Sequence, residues 1–269
     1  SFTNVAHFLG TFAYGVRDRV ELFGSFRLQT RIDADSRPVA AVNGVPLGYP
    51  NVTEGWQTGV GDLYVGAKVN LASAWQQKPA SFAIRGLVKV PTGDSDQGLS
   101  TGKTDLLLDG IVSKEFNERV EFSASAGVTM RSNPDVVDLS HGLRWGIGTA
   151  FPTRNALRMV AEIRGEQYFD GTADASGRVC PAVVGAPCLS GPYDVQSPVD
   201  LLVGVDYLHK SGFFAGAGLA WSARTKARDQ FGGGNVTGDS VDFQFRLGYH
   251  PGVRTYVPPA PPPPPPPPP

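Results

Sequence analysis

The chain of 269 residues lacks any long hydrophobic run, and it has little charge and little cysteine. No stretch reaches the about 18 consecutive apolar residues that a transmembrane helix needs, so the sequence predicts none. Charged residues make up 18% of the chain and the formal net charge is -1, which leaves no electrostatic footprint for nucleic acid. Turn-forming residues are abundant, with 33 glycines and 23 prolines. This length and composition suit one large β domain or two smaller ones.

The two cysteines, Cys180 and Cys188, lie close together in the segment CPAVVGAPC. A metal site usually needs more ligands than two, and the four histidines are scattered along the chain. We therefore predict no metal site and no cofactor. A disulfide within one loop, formed in an oxidising compartment, is the favoured interpretation of the pair. Two unpaired thiols are the alternative.

Apolar and polar residues alternate without interruption from Val120 to Arg131. A period of two indicates a β-strand, because successive side chains point to opposite faces. Twelve residues is long for a soluble strand, but it is enough to cross a bilayer when the strand is tilted. We expect the apolar face to contact lipid and the polar face to line the lumen of a barrel.

The same alternation predicts eleven strands. They cover residues 1–16, 20–31, 59–72, 81–90, 103–114, 120–131, 143–151, 157–168, 198–209, 213–224 and 240–249. Short turns at 17–19, 115–119, 152–156 and 210–212 and an intermediate one at 73–80 alternate with long loops at 32–58, 91–102, 132–142, 169–197 and 225–239. Outer-membrane barrels sort their loops in this way, with short periplasmic turns and long extracellular loops.

The fold prediction is therefore an all-β, antiparallel, up-and-down transmembrane β-barrel over residues 1–250. A soluble β-sandwich is a weaker alternative, because a sandwich has no reason to sort loop length by end. Bacterial single-chain barrels have even strand numbers, so we expect a twelfth strand before Ser1. Residues 251–269 end in nine consecutive prolines, which favour an extended polyproline II spacer. We expect this spacer to lead to a further domain.

The polar face of the predicted strands carries eleven basic and ten acidic residues. The basic residues are Arg27, Arg31, Lys68, Arg85, Lys89, Arg131, Arg144, Arg158, Arg164, Arg224 and Arg246. The acidic residues are Glu21, Asp62, Asp105, Asp109, Glu121, Glu162, Glu166, Asp200, Asp206 and Asp242. Near balance favours ion pairs that close the interior over selection of one ion sign. A selective path for a solute is the alternative.

No catalytic constellation stands out in the sequence. Gly102-Lys103-Thr104 resembles the end of a phosphate-binding loop, but Gln97 occupies the position of the required first glycine and a strand follows instead of a helix. Glu162 and Glu166, four residues apart on one strand, are separated by roughly 13 Å, which is too far for a catalytic carboxylate pair. We therefore predict no enzyme and assign no catalytic residue.

Three further resemblances concern the barrel and its tail. The last strand, VDFQFRLGY, resembles the C-terminal signal that the outer-membrane assembly machinery reads, although plain lipid-facing alternation would look much the same. Segments 59–71, 87–94 and 98–116 resemble the outer-membrane barrels of the phenol-degradation MetA-pathway family, which includes transporters. A barrel followed by a proline-rich tether resembles proteins of the OmpA/OprF type.

The OmpA/OprF resemblance implies an anchor that joins the outer membrane to the cell wall. In that family a peptidoglycan-binding domain follows the tether, so no residue of this chain is assigned to peptidoglycan. The expected function is thus an OmpA-like barrel in the bacterial outer membrane, with its C-terminal tail in the periplasm. The alternative is an outer-membrane channel for small or hydrophobic solutes. Either barrel would contact outer-membrane lipid and lipopolysaccharide.

Overall fold

The computed structural model describes residues 2–34, 41–42, 45–46, 55–73, 78–95, 99–134, 138–174, 192–224 and 240–251. Its strands are β1 Phe2–Arg17, β2 Val20–Ala34, β3 Ala41–Val42, β4 Val45–Pro46, β5 Gly55–Gly59, β6 Leu63–Ala72, β7 Ser81–Val90, β8 Asp105–Phe116, β9 Val120–Met130, β10 Gly142–Phe151, β11 Leu157–Tyr168, β12 Thr172–Asp174, β13 Pro192–Asp194, β14 Val199–Leu208, β15 Phe213–Ser222 and β16 Val241–Tyr249. Within these ranges no helix is long and apolar enough to cross a membrane.

Eleven long strands form one sheet in which every strand is antiparallel to its sequence neighbour. The order is β1-β2-β6-β7-β8-β9-β10-β11-β14-β15-β16, and β5 pairs with the far end of β2. The predicted all-β, antiparallel, up-and-down fold is therefore confirmed. Short connections lie at one end of the sheet, the short-turn end. The segments 35–54, 91–104, 131–141, 169–198 and 223–240 connect strands at the other end, the long-loop end.

Two of the predicted loops, 32–58 and 169–197, contain additional strands, so the prediction of uninterrupted loops there was wrong. β2 continues to Ala34 and pairs there with β5, and the small hairpins β3–β4 and β12–β13 lie within the segments predicted as loops. These pairs are made by backbone hydrogen bonds. Away from the bilayer neither face must be apolar, so the alternation that revealed the other strands is missing.

Several strand ends differ from the predicted ones by one to three residues. The strand predicted for 103–114 runs from Asp105 to Phe116, because the turn that follows is tighter than expected. Asn117 and Glu118 both adopt positive φ, and the Arg119 N–H donates to the Phe116 carbonyl. β15 ends at Ser222, so Arg224, predicted to face the lumen, lies exposed in a turn.

The distribution of polar and apolar side chains is inverted relative to a soluble protein. Phe122 is 49% exposed and Phe245 is 79% exposed, and large apolar residues of the other nine long strands are exposed on the same outer face. The buried residues of the described chain are more often polar than apolar: Asp62, Lys89, Asp105, Asp109, Thr129 and Asp206 against Leu99, Leu107 and Ala220. This arrangement suits a sheet surrounded by lipid, with polar groups turned to its inner face.

The sheet curls so that strands far apart in its order share the same interior. Leu9 of β1 and Glu166 of β11 line one cavity, and Glu121 of β9 and Arg246 of β16 line another. The charge of Asp242 on β16 also acts on His7 of β1. The two outermost strands, β1 and β16, both run from the long-loop end to the short-turn end.

No backbone ladder joins β1 to β16 among the described residues. Because these two strands are parallel to each other, an antiparallel closure requires one further strand between them. The twelfth strand therefore remains a prediction. The polyproline segment, Cys180 and Cys188 all lie outside the described residues.

Candidate functional site in the barrel lumen

A row of six charged residues and one glycine crosses the inner face from β2 to β11. Its members are successive register partners on neighbouring strands: Glu21, Lys68, Arg85, Asp109, Gly127, Arg144 and Glu166. Each strand contributes one residue at this level, because the alternation places the same face inward on every strand. We call this set the charged row. Lys68 pairs with Glu21 at 2.9 Å at its beginning.

Asp109 is the centre of the charged row, because two arginines bind its carboxylate. Arg85 donates from Nε to Oδ2 at 3.0 Å, and Arg144 donates from Nη2 to Oδ1 and Oδ2 at 2.7 and 2.8 Å. Arg144 lies two strands away and reaches across Gly127. A Cβ at Gly127 would lie 2.5 Å from Asp109 Oδ1, so a residue without a side chain is needed there.

The same arrangement of arginine, glycine, aspartate and arginine occurs a second time. Arg246, Gly216, Asp206 and Arg158 are successive register partners on β16, β15, β14 and β11. Arg246 Nε donates to Asp206 Oδ1 at 2.7 Å across Gly216, whose Cβ would collide with the Asp206 carboxylate. The second arginine differs, because Arg158 Nε is buried without a hydrogen-bond partner.

Two further ion-pair clusters lie near the long-loop end. Lys89, 4% exposed, contacts Asp105 at 2.6 Å and Asp62 at 3.7 Å, and it donates to Thr101 Oγ1 at 2.7 Å. Arg131 donates to both carboxylate oxygens of Glu166 at 2.7 Å. Charge-assisted contacts of this kind are shorter and stronger than hydrogen bonds between neutral groups. These charges therefore form a hydrogen-bonded inner wall.

Among the described residues, two large cavities can be distinguished between the inner walls. The long-loop cavity has a volume of about 560 Å³ and is lined by Leu9, Ser25, Arg27, Tyr64, Asp105, Leu107, Thr129, Arg131, Arg144, Arg164 and Glu166. The short-turn cavity has a volume of about 540 Å³, and its charged lining residues are Glu121, Arg158, Glu162, Arg164, Asp206 and Arg246. Arg164 lines both cavities. Its ion pairs are loose, at 3.6 Å to Asp200 and 4.0 Å to Glu162.

Most of the charges singled out in the sequence meet one another on the inner face. Arg27 and Glu121 line cavities but make no ion pair or hydrogen bond through their side chains with the rest of the described chain. Arg31 has no described side chain. No group of three or more His, Cys, Asp or Glu among the described residues could hold a metal ion.

The inner face also carries a second row, largely apolar, which was not predicted from the sequence. Phe23, Gly66, Leu87, Leu107, Thr129, Gly142 and Tyr168 are successive register partners, one inward position nearer the long-loop end than the charged row. The signal was present, because all of these residues except Gly142, which lay in the predicted loop 132–142, occupy the inward phase of the predicted strands. Because they are uncharged, they do not stand out among the inward residues of the sequence.

The curled sheet, its apolar exterior and its charged interior define the fold of an outer-membrane β-barrel. A crystal structure of an outer membrane channel from Pseudomonas putida F1 has the same fold, with a TM-score of 0.59 over 90% of this chain and 82% of that chain, at 13% sequence identity. No curated protein matches the sequence. The chain belongs to the family described as "Putative MetA-pathway of phenol degradation", whose model matches residues 4–178.

Proposed function

We propose that this protein is a channel of the bacterial outer membrane for small or hydrophobic solutes. The observation that carries the proposal is the pair of cavities inside the barrel, which share Arg164 as a common wall residue. A protein that served only as an anchor would not need such space. Ligand pockets commonly have volumes of about 300 to 1,000 Å³, and each cavity falls in that range.

The comparisons support a channel more than an anchor. The family description names a degradation pathway, which requires entry of its substrate into the cell, and the similar solved structure is titled an outer membrane channel. In this proposal the barrel admits a solute and performs no chemistry on it. The outer face contacts lipid and lipopolysaccharide, and the assembly machinery recognises the last strand.

Single-channel recording tests the proposal. The full chain, folded in detergent and added to a planar lipid bilayer, is expected to produce discrete conductance steps. Arg164→Ala removes the long side chain that both cavities share and is expected to raise the conductance. Arg154→Ala, in the turn between β10 and β11, is the control, because it removes a charge outside both cavities. A bilayer that stays silent with the folded protein and with Arg164→Ala would contradict an open channel.

A second candidate function is suggested by the tail. Nine consecutive prolines after the barrel suit a spacer between membrane and cell wall, as in an OmpA-like anchor, with the tail in the periplasm. Reading the gene beyond the codon for Pro269 tests this candidate. A following domain of about 100 residues that sediments with purified peptidoglycan would support the anchor. A full gene product that stays in the supernatant would contradict it.

A further inference from the structure

The inner face carries nearly equal numbers of basic and acidic residues, but in its arginine–carboxylate pairs the guanidinium group is more accessible than the carboxylate. The lysines are no more exposed than their partners. Asp109 has a side chain only 3% exposed, whereas its partners Arg85 and Arg144 are 34% and 29% exposed. Asp206 is 5% exposed beneath Arg246, which is 59% exposed. The short aspartate lies against the strands, and the long arginine extends over it. A solute in the lumen therefore meets guanidinium groups first.

The long-loop cavity concentrates this positive character. Four arginines line it against two carboxylates, Asp105 and Glu166. Those carboxylates are already bound, Asp105 by Lys89 and Glu166 by Arg131. The short-turn cavity is different, because three arginines there face three carboxylates. The long-loop cavity is thus the one whose walls favour an anion.

Three donors at this cavity have no acceptor among the described residues. Arg27 makes no ion pair, the hydroxyl of Thr129 has no hydrogen-bond partner, and Arg144 Nε is also unpartnered. Thr129 is only 4% exposed. Leaving a buried polar group unpaired is unfavourable, so a ligand that brings acceptor oxygens would satisfy the site.

The backbone next to Arg27 is adapted to hold this side chain in place. The N–H of Gly61 donates to the carbonyl of Arg27 at 3.0 Å. A Cβ at Gly61 would lie 2.8 Å from Arg27 Cβ and 2.9 Å from Arg27 Cδ. The bare glycine therefore lets the stem of Arg27 lie flat against the chain. An unpaired arginine that is positioned in this way is available to a ligand without rearrangement.

The remaining lining is mostly apolar or aromatic, with Leu9, Leu107 and Tyr64 beside the single hydroxyl of Ser25. We propose that the long-loop cavity binds a small organic monocarboxylate with an apolar body. Its carboxylate is held by Arg27 and the Thr129 hydroxyl, and its apolar body lies against the leucines. Arginine suits this role because its planar fork matches a carboxylate. The inference rests on the proposed channel function, because the ligand is the solute that the barrel admits.

Benzoate and its neutral analogue benzamide are the probes for this site. Calorimetric titration of the full folded chain in detergent is expected to show benzoate binding at least tenfold tighter than benzamide. Arg27→Gln is expected to weaken benzoate binding about tenfold, because one charge-assisted hydrogen bond is lost. Arg27→Lys keeps the charge and is expected to recover part of the affinity. Thr129→Val, which removes only the hydroxyl, is expected to weaken binding several-fold.

Arg154→Gln is the matched control, since it removes the same charge at the turn outside the cavity, and it is expected to bind benzoate as the parent does. Circular dichroism verifies that each variant is folded. Equal affinity for benzoate and benzamide, or an Arg27→Gln variant with unchanged affinity, overturns the site.

Bilayer recordings distinguish a failure of the carboxylate site from a failure of the proposed channel. A silent bilayer with Arg27-dependent benzoate binding contradicts the channel alone, and conductance with Arg27-independent binding contradicts the site alone.

Discussion

Arg144 and Asp109 form an ion pair at 2.7 Å although an entire strand, β9, lies between their strands. The contact exists because Gly127 occupies the intervening register position and has no side chain to block it. Arg246 and Asp206 repeat the relationship across Gly216. Both aspartates are thereby held beneath guanidinium groups, which sets the sign of the surface that a solute meets.

Gly127→Ala is expected to destabilise the barrel by on the order of 1–3 kcal/mol, because the added Cβ must displace Asp109 or the backbone of β8. Urea titration of the folded protein in lipid vesicles measures the change. Gly110→Ala is the matched control on β8. Its Cβ would meet nothing closer than 3.8 Å, so its effect is expected to be small. Equal effects of the two substitutions would contradict the close-approach argument.

Asp109→Asn is expected to lower stability by about 2 kcal/mol, because it leaves two guanidinium groups without their counter-charge. The loss is smaller than for a fully buried pair, since Arg85 and Arg144 are about one-third exposed and partly screened by water. The same substitution should increase the preference of the channel for anions, as measured by the reversal potential in a salt gradient. Glu118→Gln is the control, because the ion pair of Glu118 with Arg154 is exposed at a turn and contributes little. It should change both quantities much less than Asp109→Asn.

Arg246 and Arg158, the two arginines next to Asp206, are expected to differ in their coupling energy with this aspartate. A double-mutant cycle for Arg246 and Asp206 should give about 1–3 kcal/mol, because they are hydrogen-bonded across Gly216. The cycle for Arg158 and Asp206 should give less than about 0.5 kcal/mol, since Arg158 Nε has no partner. A coupling of Arg158 as large as that of Arg246 would show that both arginines share Asp206, as they do at Asp109.

An added charged side chain should destabilise the barrel more on the lipid-facing outer side than on the inner face. Ile147→Arg, on the exposed apolar face of β10, is expected to cost about 2–4 kcal/mol of folding free energy in a bilayer. Ser123→Arg, which points into the short-turn cavity, is the matched control and should cost clearly less. Folding titrations in lipid vesicles compare the two. A similar cost for both would contradict the assignment of the lipid-facing side.

Alternation in the sequence was enough to find the eleven strands and the two faces. In β9, for example, Phe122 and Met130 belong to the apolar set of alternate residues and are exposed on the outside. The period of two alone predicted this placement. Alternation did not predict strands where no bilayer or core imposes a pattern, as at β5 and the hairpin β12–β13. Strand ends were also less certain, because turn geometry such as that at Asn117 and Glu118 is decided by a few backbone angles.

The sequence by itself determined that inward positions carry nearly equal numbers of basic and acidic residues, since the side-chain period fixes which residues share a face. It could not determine which of those charges meet. The register between strands decided that Arg144 and Arg85 both bind Asp109, and the missing side chain of Gly127 decided that a strand could be crossed. Only the curled sheet brought Arg27 and Thr129 to one cavity. It also placed short carboxylates beneath longer guanidinium side chains, because the depth of a charge within the lumen depends on side-chain length and tertiary placement.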